Sequence, residues 1–302
     1  IVLGVAALAF FLALGLQVRQ VLLSRVFPSD RIEVAPRSAD LDLFALRLDL
    51  GRDALTQADL DGLATIDGVS EVFPKMRLMV PAMASGGATL FGAGMQTEIV
   101  ADGIDPALVQ EAVGPAFRDT FLDDADQPCT NDRQCGADAY CDGAGSFSGG
   151  VCRGYLPVVV SPYIVELYNG AFRRAYDLPK LNPDALKGLT FEMTLGASTL
   201  RPSNRAPIRR LARLVGVSDR AIPLGVTLPL EQVRRINRLL VSDEAGRRFH
   251  SAVLGVASQA AVPRVVEAVE ARGLEVLDLG ARRAAFGTAV VTAVLGLAAA
   301  VL

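Results

Sequence analysis

Two uncharged runs bracket this chain, and they constrain it more than any motif between them. Ile1 to Val18, IVLGVAALAFFLALGLQV, carries no charged residue. As a helix it reaches about 27 Å, close to the hydrocarbon thickness of a bilayer. Ala284 to Leu302, AAFGTAVVTAVLGLAAAVL, is a second run of the same kind. Read as membrane helices, they leave the middle of the chain as a loop anchored at both ends, and that loop must fold outside the lipid. A cleaved signal peptide is the rival reading of the first run, but it calls for an initiating Met, a basic stretch and an A-x-A-like site. The chain opens at Ile1, and its helical pattern continues through QVRQVLLSRVF at 17–27. Both ends read as cuts in a longer membrane protein. A buried core helix is the other alternative for either run, because Ala and Gly are plentiful there.

The cysteines form the second constraint. Cys129, Cys135, Cys141 and Cys152 stand within 25 residues, PCTNDRQCGADAYCDGAGSFSGGVC, and are the chain's only four. The C-x2-C knuckle that sets two thiolates at tetrahedral angles to zinc is missing. Too few apolar residues separate the cysteines to build a core, so two disulfides are expected to hold the lobe, with a metal site or free thiols as the alternative. The spacing leaves the pairing open. Disulfides would place this part of the chain in an oxidising compartment.

The chain is 51% hydrophobic yet 21% charged, which suits a water-exposed domain with membrane-like segments attached. A formal net charge of −3 gives no reason to expect nucleic acid. Basic residues concentrate in RPSNRAPIRRLARLVGVSDR at 201–220. Arg209, Arg210 and Arg213 read there as the wet face of a short helix, with Ile208, Leu211 and Leu214 opposite; phosphate or lipid headgroup binding is the alternative.

The middle is long for one compact domain, which favours two subdomains. LFALRLDL (43–50) reads as a strand. Thr56 then caps a helix over 56–66, with Asp59 completing a capping box, and Gly68 precedes strand character over 69–83. Near the other end, PLGVTLPL leads into the amphipathic helix EQVRRINRLL, with Val233, Ile236, Leu239 and Leu240 on one side. FHSAVLGVAS reads as a strand, and a helix follows with Pro263 in its first turn and Gly273 as its stop. LEVLDLG closes as a strand. These units predict an α+β fold of two subdomains: a βαβ-type porter-like subdomain assembled from both flanks, and a second subdomain inserted between them. The expected limits are membrane helix and stalk 1–27, first porter-like part 28–105, insert 106–218 with its disulfide lobe at 128–152, second porter-like part 219–281, and the second membrane helix from 282 to 302.

Chemistry-bearing motifs are sparse. His250 stands alone at the mouth of a strand-like run with no nucleophile motif, and is expected to be structural or superficial. GGATLFGAG (86–94) lacks the Lys and Ser/Thr of a phosphate-binding loop and reads as a hairpin tip, so the chain is not expected to hydrolyse ATP itself. Asp123, Asp124, Asp126 and Asp132 offer hard oxygens to calcium but lack the EF-hand order, and read as solvated loop acids. Leu167, Tyr168 and Phe172 lie where a ligand groove is conceivable, with simple core packing as the competing reading. No catalytic residue, metal site or cofactor is expected, and enzymatic function has no positive support.

The order of elements, together with VFPKMRLMVPAM, EIVADGIDPALV, LPVVVSPYIVELYN, VGVSDRAIPLGVTLPLEQVRRIN and VPRVVEAVEARGLEV, resembles the periplasmic core of MacB-like and FtsX-like ABC-transporter permeases, a group that includes the lipoprotein-releasing permeases. The resemblance covers almost the whole chain apart from the cysteine lobe. It implies a permease subunit in the bacterial inner membrane, with its central domain in the periplasm. It further implies a second permease subunit as homo- or heterodimer, a separate cytoplasmic ABC ATPase, and a periplasmic or outer-membrane partner. ATP-driven motion would pass along the first and second membrane helices to that domain, which exports or extracts a lipoprotein, peptide or small molecule. Residues 17–27 would form the stalk. The cysteine lobe departs from the family pattern and is expected to act as a structural knob or a docking surface.

Charge near the membrane weighs the other way. Arg19 and Arg25 follow the first run and Arg282 and Arg283 precede the second, as cytoplasmic flanks usually do; a loop this long translocates largely regardless of such charge, and the cysteines and the resemblance place it outside. The competing class is a membrane-anchored extracytoplasmic sensor or receptor domain. A secreted or anchored enzyme is a third reading, without a polar constellation to support it.

Overall fold

The computed structural model describes residues 31–37, 54–86, 96–120, 127–176, 180, 182–199 and 206–277. Both apolar runs, the strand expected at 43–50, Asp123, Asp124, Asp126 and the four arginines flanking the runs lie outside the described residues. Among the described residues, no helix is long and apolar enough to cross a membrane.

In chain order the early strands are β1 (Arg31–Pro36), β2 (Val69–Arg77), β3 (Ala82–Ser85), β4 (Gln96–Ile99), β5 (Ala101–Ile104), β6 (Pro128–Cys129) and β7 (Ala139–Asp142). They are followed by β8 (Gly150–Gly154), β9 (Leu156–Val160), β10 (Thr190–Leu195), β11 (Ile208–Val217), β12 (Val226–Pro229), β13 (Ser251–Val256) and β14 (Leu274–Val276). The principal helices are α1 (Gln57–Ala64), α2 (Pro162–Leu167), α3 (Leu230–Leu240) and α4 (Val262–Ala271).

The architecture is mixed α/β and divides into two compact units. One takes residues up to Phe73 and from His250 onward; the other is Pro74–Phe249. The second is thus inserted into the first, with wider limits than 106–218. The reason lies in strand pairing: β3, β4, β5 and β12 hydrogen-bond, directly or through neighbours, with β9, β10 and β11 and belong to the inserted unit.

In the first unit the strand order is β14–β1–β13–β2. β1 is antiparallel to both neighbours, with Ile32 opposite Leu254 and Val34 opposite Val276. α1 starts where the sequence places it. The Thr56 hydroxyl accepts from the Asp59 N–H, and the Asp59 carboxylate accepts from the Thr56 N–H at 2.7 Å, closing a capping box. α4 carries Pro263 in its first turn and buries Val262, Val265, Val266 and Val269 along one stripe. Gly68 sits at φ +93°, and a Cβ there would stand 2.9 Å from the Ala261 Cβ, so the turn into β2 needs glycine for both conformation and space. Because β1 and β14 are antiparallel neighbours, the chain enters and leaves this unit side by side: the Leu277 N–H donates to the Glu33 carbonyl at 2.8 Å.

In the inserted unit the later part of β2 leads the order β2–β5–β12–β9–β11–β10–β3–β4. β5 and β12 are parallel, as are β9 and β11; the remaining pairs are antiparallel. β9, LPVVV, is buried along its whole length, as a continuous apolar run between covered faces should be. α3 crosses β5 at Gly103, where a Cβ would meet Val233 at 2.8 Å and the Leu230 backbone at 3.1 Å. β3 and β4 form the expected hairpin flanks, with Ser85 opposite Gln96.

Two local expectations are corrected here. Residues 208–217 are not a helix but the strand β11, in which Ala212, Leu214 and Gly216 are buried alternately. Arg209 and Arg213 therefore share one face, and Arg210 the other. The pairing decides it: β11 lies between β9 and β10, and tertiary context overrides a sequence whose apolar residues also fit a helical spacing. On α3, Leu239 is 60% exposed, while Gln232 and Asn237 are fully buried.

Candidate functional site

The lobe at 128–152 is a three-stranded sheet, ordered β6–β8–β7. Cys129 is bonded to Cys141 and Cys135 to Cys152. Cys141 and Cys152 face each other across the β7–β8 ladder, and each reaches outward to a different partner. The buried centre of the lobe consists of Cys129, Cys141 and Cys152, with Cys135 packed against them. Sulfur replaces the apolar side chains that the segment lacks. Three of these sulfurs lie within 4.8 Å of one another, a metal-like grouping, but all four cysteines are consumed in disulfides. The Asp132 carboxylate accepts from the Cys141 N–H at 2.9 Å and stabilises the turn.

Aromatic and basic side chains dock this lobe on β11. The Tyr140 hydroxyl accepts from the Leu211 N–H at 3.1 Å, and its ring lies 5.0 Å from that of Tyr155. Arg213 places its guanidinium 3.7 Å from the Tyr155 ring centroid and donates to the Ala137 carbonyl at 2.8 Å. Burial, more than the nearby Asp142 charge, raises the Tyr140 phenol above its ordinary value of 10.0, although the Leu211 N–H and Arg210 pull the other way. Of the arginine cluster, Arg213 thus holds the lobe.

A second feature surrounds α2, the helix that follows β9. A cavity of about 410 Å³ is lined by Ile99 at the end of β4 and Val100 just after it, Ile164, Leu167 and Tyr168 of the α2 region, and Leu224 before β12. Its floor includes Ala84, Phe191 and Leu214. Val100, Leu167 and Leu224 are exposed. Each wall has a local cause. Ser161 caps α2 by accepting from the Ile164 N–H, and its hydroxyl donates to the Pro223 carbonyl at 2.8 Å, which ties α2 to the segment carrying Leu224. Beyond Leu167 the helix widens into a π-helical turn, Tyr168–Phe172. At the rim, the Glu98 carboxylate accepts from the Ser198 hydroxyl, the Thr199 N–H and the Thr199 hydroxyl at 2.6–2.9 Å, which fastens the loop after β10 onto β4.

Leu167 and Tyr168 are therefore brought together as cavity lining, the ligand-groove alternative of the sequence reading, while Phe172 has no described side chain. His250 is half-buried just before β13. Ile99, Val100 and Leu224 escaped sequence reasoning. The available signal was their position in short apolar segments broken by Gly and Pro, VADG and AIPLG, which reads as ordinary strand flank.

A polar network crosses the neighbouring strands. The Thr227 hydroxyl donates to Asp102 at 2.7 Å and accepts from the Ile222 N–H, and the Lys75 ammonium lies 3.9 Å from the Asp102 carboxylate with both side chains buried. It fixes β2, β5 and β12 in register.

Neither a family model nor a curated protein matches the chain. Among solved structures it is similar to the extracellular domain of the ABC-type transporter YknZ from Gram-positive bacteria, at 12% identity and a TM-score of 0.35, over 82% of this chain and 100% of that one. It is also similar to the periplasmic region of MacB from Actinobacillus actinomycetemcomitans, at 13% identity and a TM-score of 0.38, over 83% of this chain and 89% of that one.

Proposed function

We propose that this chain is the extracytoplasmic part of an ABC-transporter permease subunit, tethered by the uncharged runs at 1–18 and 284–302 and moved by a separate cytoplasmic ATPase. One observation carries the reading. β1 and β14 are adjacent and antiparallel, and the Leu277 N–H meets the Glu33 carbonyl at 2.8 Å. The segments leading to both apolar runs thus start from neighbouring points of one unit, the arrangement a domain needs to stand on a single membrane face. The motif resemblance supplies the class, and the disulfide-held lobe supports an oxidising, periplasm-like side. In this reading the domain transmits motion and performs no covalent chemistry; a second permease subunit completes the transporter. The lobe, with Phe147 fully exposed on its β7–β8 turn, offers a contact surface for an envelope partner.

The test is made on membranes from cells producing the full protein. Mild solubilisation and capture are expected to recover an ABC ATPase, and a membrane-impermeant thiol reagent is expected to label the lobe from outside only after reduction. Recovery of a signalling kinase in place of the ATPase, or free thiols facing the cytoplasm, would overturn the proposal.

A further inference from the structure

We infer that the cavity beneath α2 binds a single uncharged aliphatic chain. The volume sets the size: about 410 Å³ falls at the small end of ligand cavities, which run from about 300 to 1,000 Å³. At about 30 Å³ per water-sized group, that is room for roughly a dozen methylene-sized groups, one chain and not two. The lining sets the chemistry. Ile99, Val100, Ile164, Leu167, Leu224 and Leu214 are branched aliphatics, and no Lys or Arg occurs among the described lining residues. A carboxylate or phosphate would find no cation there and would face Glu98 at the rim. A neutral headgroup meets neither penalty.

Two further observations point to a ligand. Tyr168, on the wall, has a buried hydroxyl without a hydrogen-bond partner among the described residues. Such groups are uncommon in folded proteins, and an oxygen on the ligand would satisfy this one after a small side-chain adjustment. The π-helical turn also begins at this residue, and single π turns concentrate at functional sites because they offset the side chains that follow. Exposed Val100, Leu167 and Leu224 at the mouth extend the apolar surface outward, giving a chain a continuous path inward.

The experiment uses the full chain in lipid nanodiscs, irradiated with dodecanol carrying a diazirine in its chain, and maps the attachment sites by peptide mass spectrometry. Saturable labelling is expected on peptides containing Val100, Ile164–Tyr168 and Leu224, reduced at least fivefold by excess unlabelled dodecanol. A dodecanoate probe and a two-chain phosphatidylcholine probe are expected to label these peptides at least fivefold less. Ala84→Leu, which fills the floor, is expected to abolish the labelling. Leu224→Gln, at an exposed position that leaves the fold intact, is expected to lower it at least threefold. Labelling that does not saturate, is confined to 1–30 and 278–302, favours the dodecanoate or two-chain probe, or is unchanged in Leu224→Gln overturns the inference. Each of these outcomes is independent of whether an ATPase is recovered.

Discussion

Tyr140 shows how one side chain holds two parts of the inserted unit together. Its hydroxyl accepts from the Leu211 N–H, and its ring packs near Tyr155. Tyr140→Phe removes the acceptor and is expected to cost about 1 kcal/mol, read as a lower midpoint of thermal or denaturant unfolding. Because burial raises the phenol's pKa, the folded protein holds this proton after an unfolded chain would release it. The stabilisation is complete below the ordinary tyrosine value of 10.0 and declines as pH rises from there through the raised value. Phenolate absorbance followed during alkaline titration should show a late component in the parent protein that is absent in Tyr140→Phe. Asp102 carries more weight. Asp102→Ala takes the acceptor from the buried Thr227 hydroxyl and a carboxylate 3.9 Å from the buried Lys75 ammonium, and is expected to cost about 2 kcal/mol in the same unfolding measurement. Nothing in the sequence marks Lys75 and Asp102 as partners, since isolated charges in alternating strands read as solvent-facing.

At the scale of elements, the helices were legible wherever a cap or stop residue marked them. Thr56 with Asp59, Pro263 and Gly273 act locally, within a turn or two, and a local signal survives whatever packs against it. β11 was illegible for the opposite reason. Ile208, Leu211 and Leu214 fit a helix as well as a strand, and only pairing with β9 and β10 on either side chooses between them. α3 was legible in extent but not in facing. Its buried side carries Asn237, whose Oδ1 accepts from the Met79 N–H at 2.9 Å while its Nδ2 donates to the Arg77 carbonyl at 2.8 Å. The amide thereby satisfies the backbone where β2 ends, a task that hydrophobic periodicity does not register. Asn237→Leu keeps the branched outline, with somewhat more bulk, but strips both bonds, and is expected to destabilise by about 2 kcal/mol. Faster amide exchange at Met79 would locate the loss; unaltered exchange there would deny Asn237 this role.

At the scale of the whole molecule, the cysteine segment advertised its own character: many polar residues, four thiols and too little apolar matter for a core. The cavity did not, because its walls come from several segments spread over more than 100 residues, each an unremarkable apolar stretch by itself. The two features also differ in what holds them. The cavity is shaped by strands of the inserted unit and by the Ser161 cap, whereas the lobe's buried centre is its own sulfur. Replacing all four cysteines with serine should therefore act on the lobe alone. Each disulfide closes a short loop, with separations of 12 and 17 residues, and is worth about 3 kcal/mol through the entropy removed from the opened chain. Losing both leaves β6, β7 and β8 with few apolar contacts of their own. Limited proteolysis of the serine variant is expected to cut within 128–152 at rates the parent protein resists, while far-UV circular dichroism and labelling of the cavity by the dodecanol probe stay near parent values. Tyr140, Tyr155 and Arg213 set the limit of this separation, since they join the lobe to β11. A serine variant that lost cavity labelling together with the lobe would show the disulfides supporting the sheet through those contacts, and the lobe would then be an integral brace rather than an appendage.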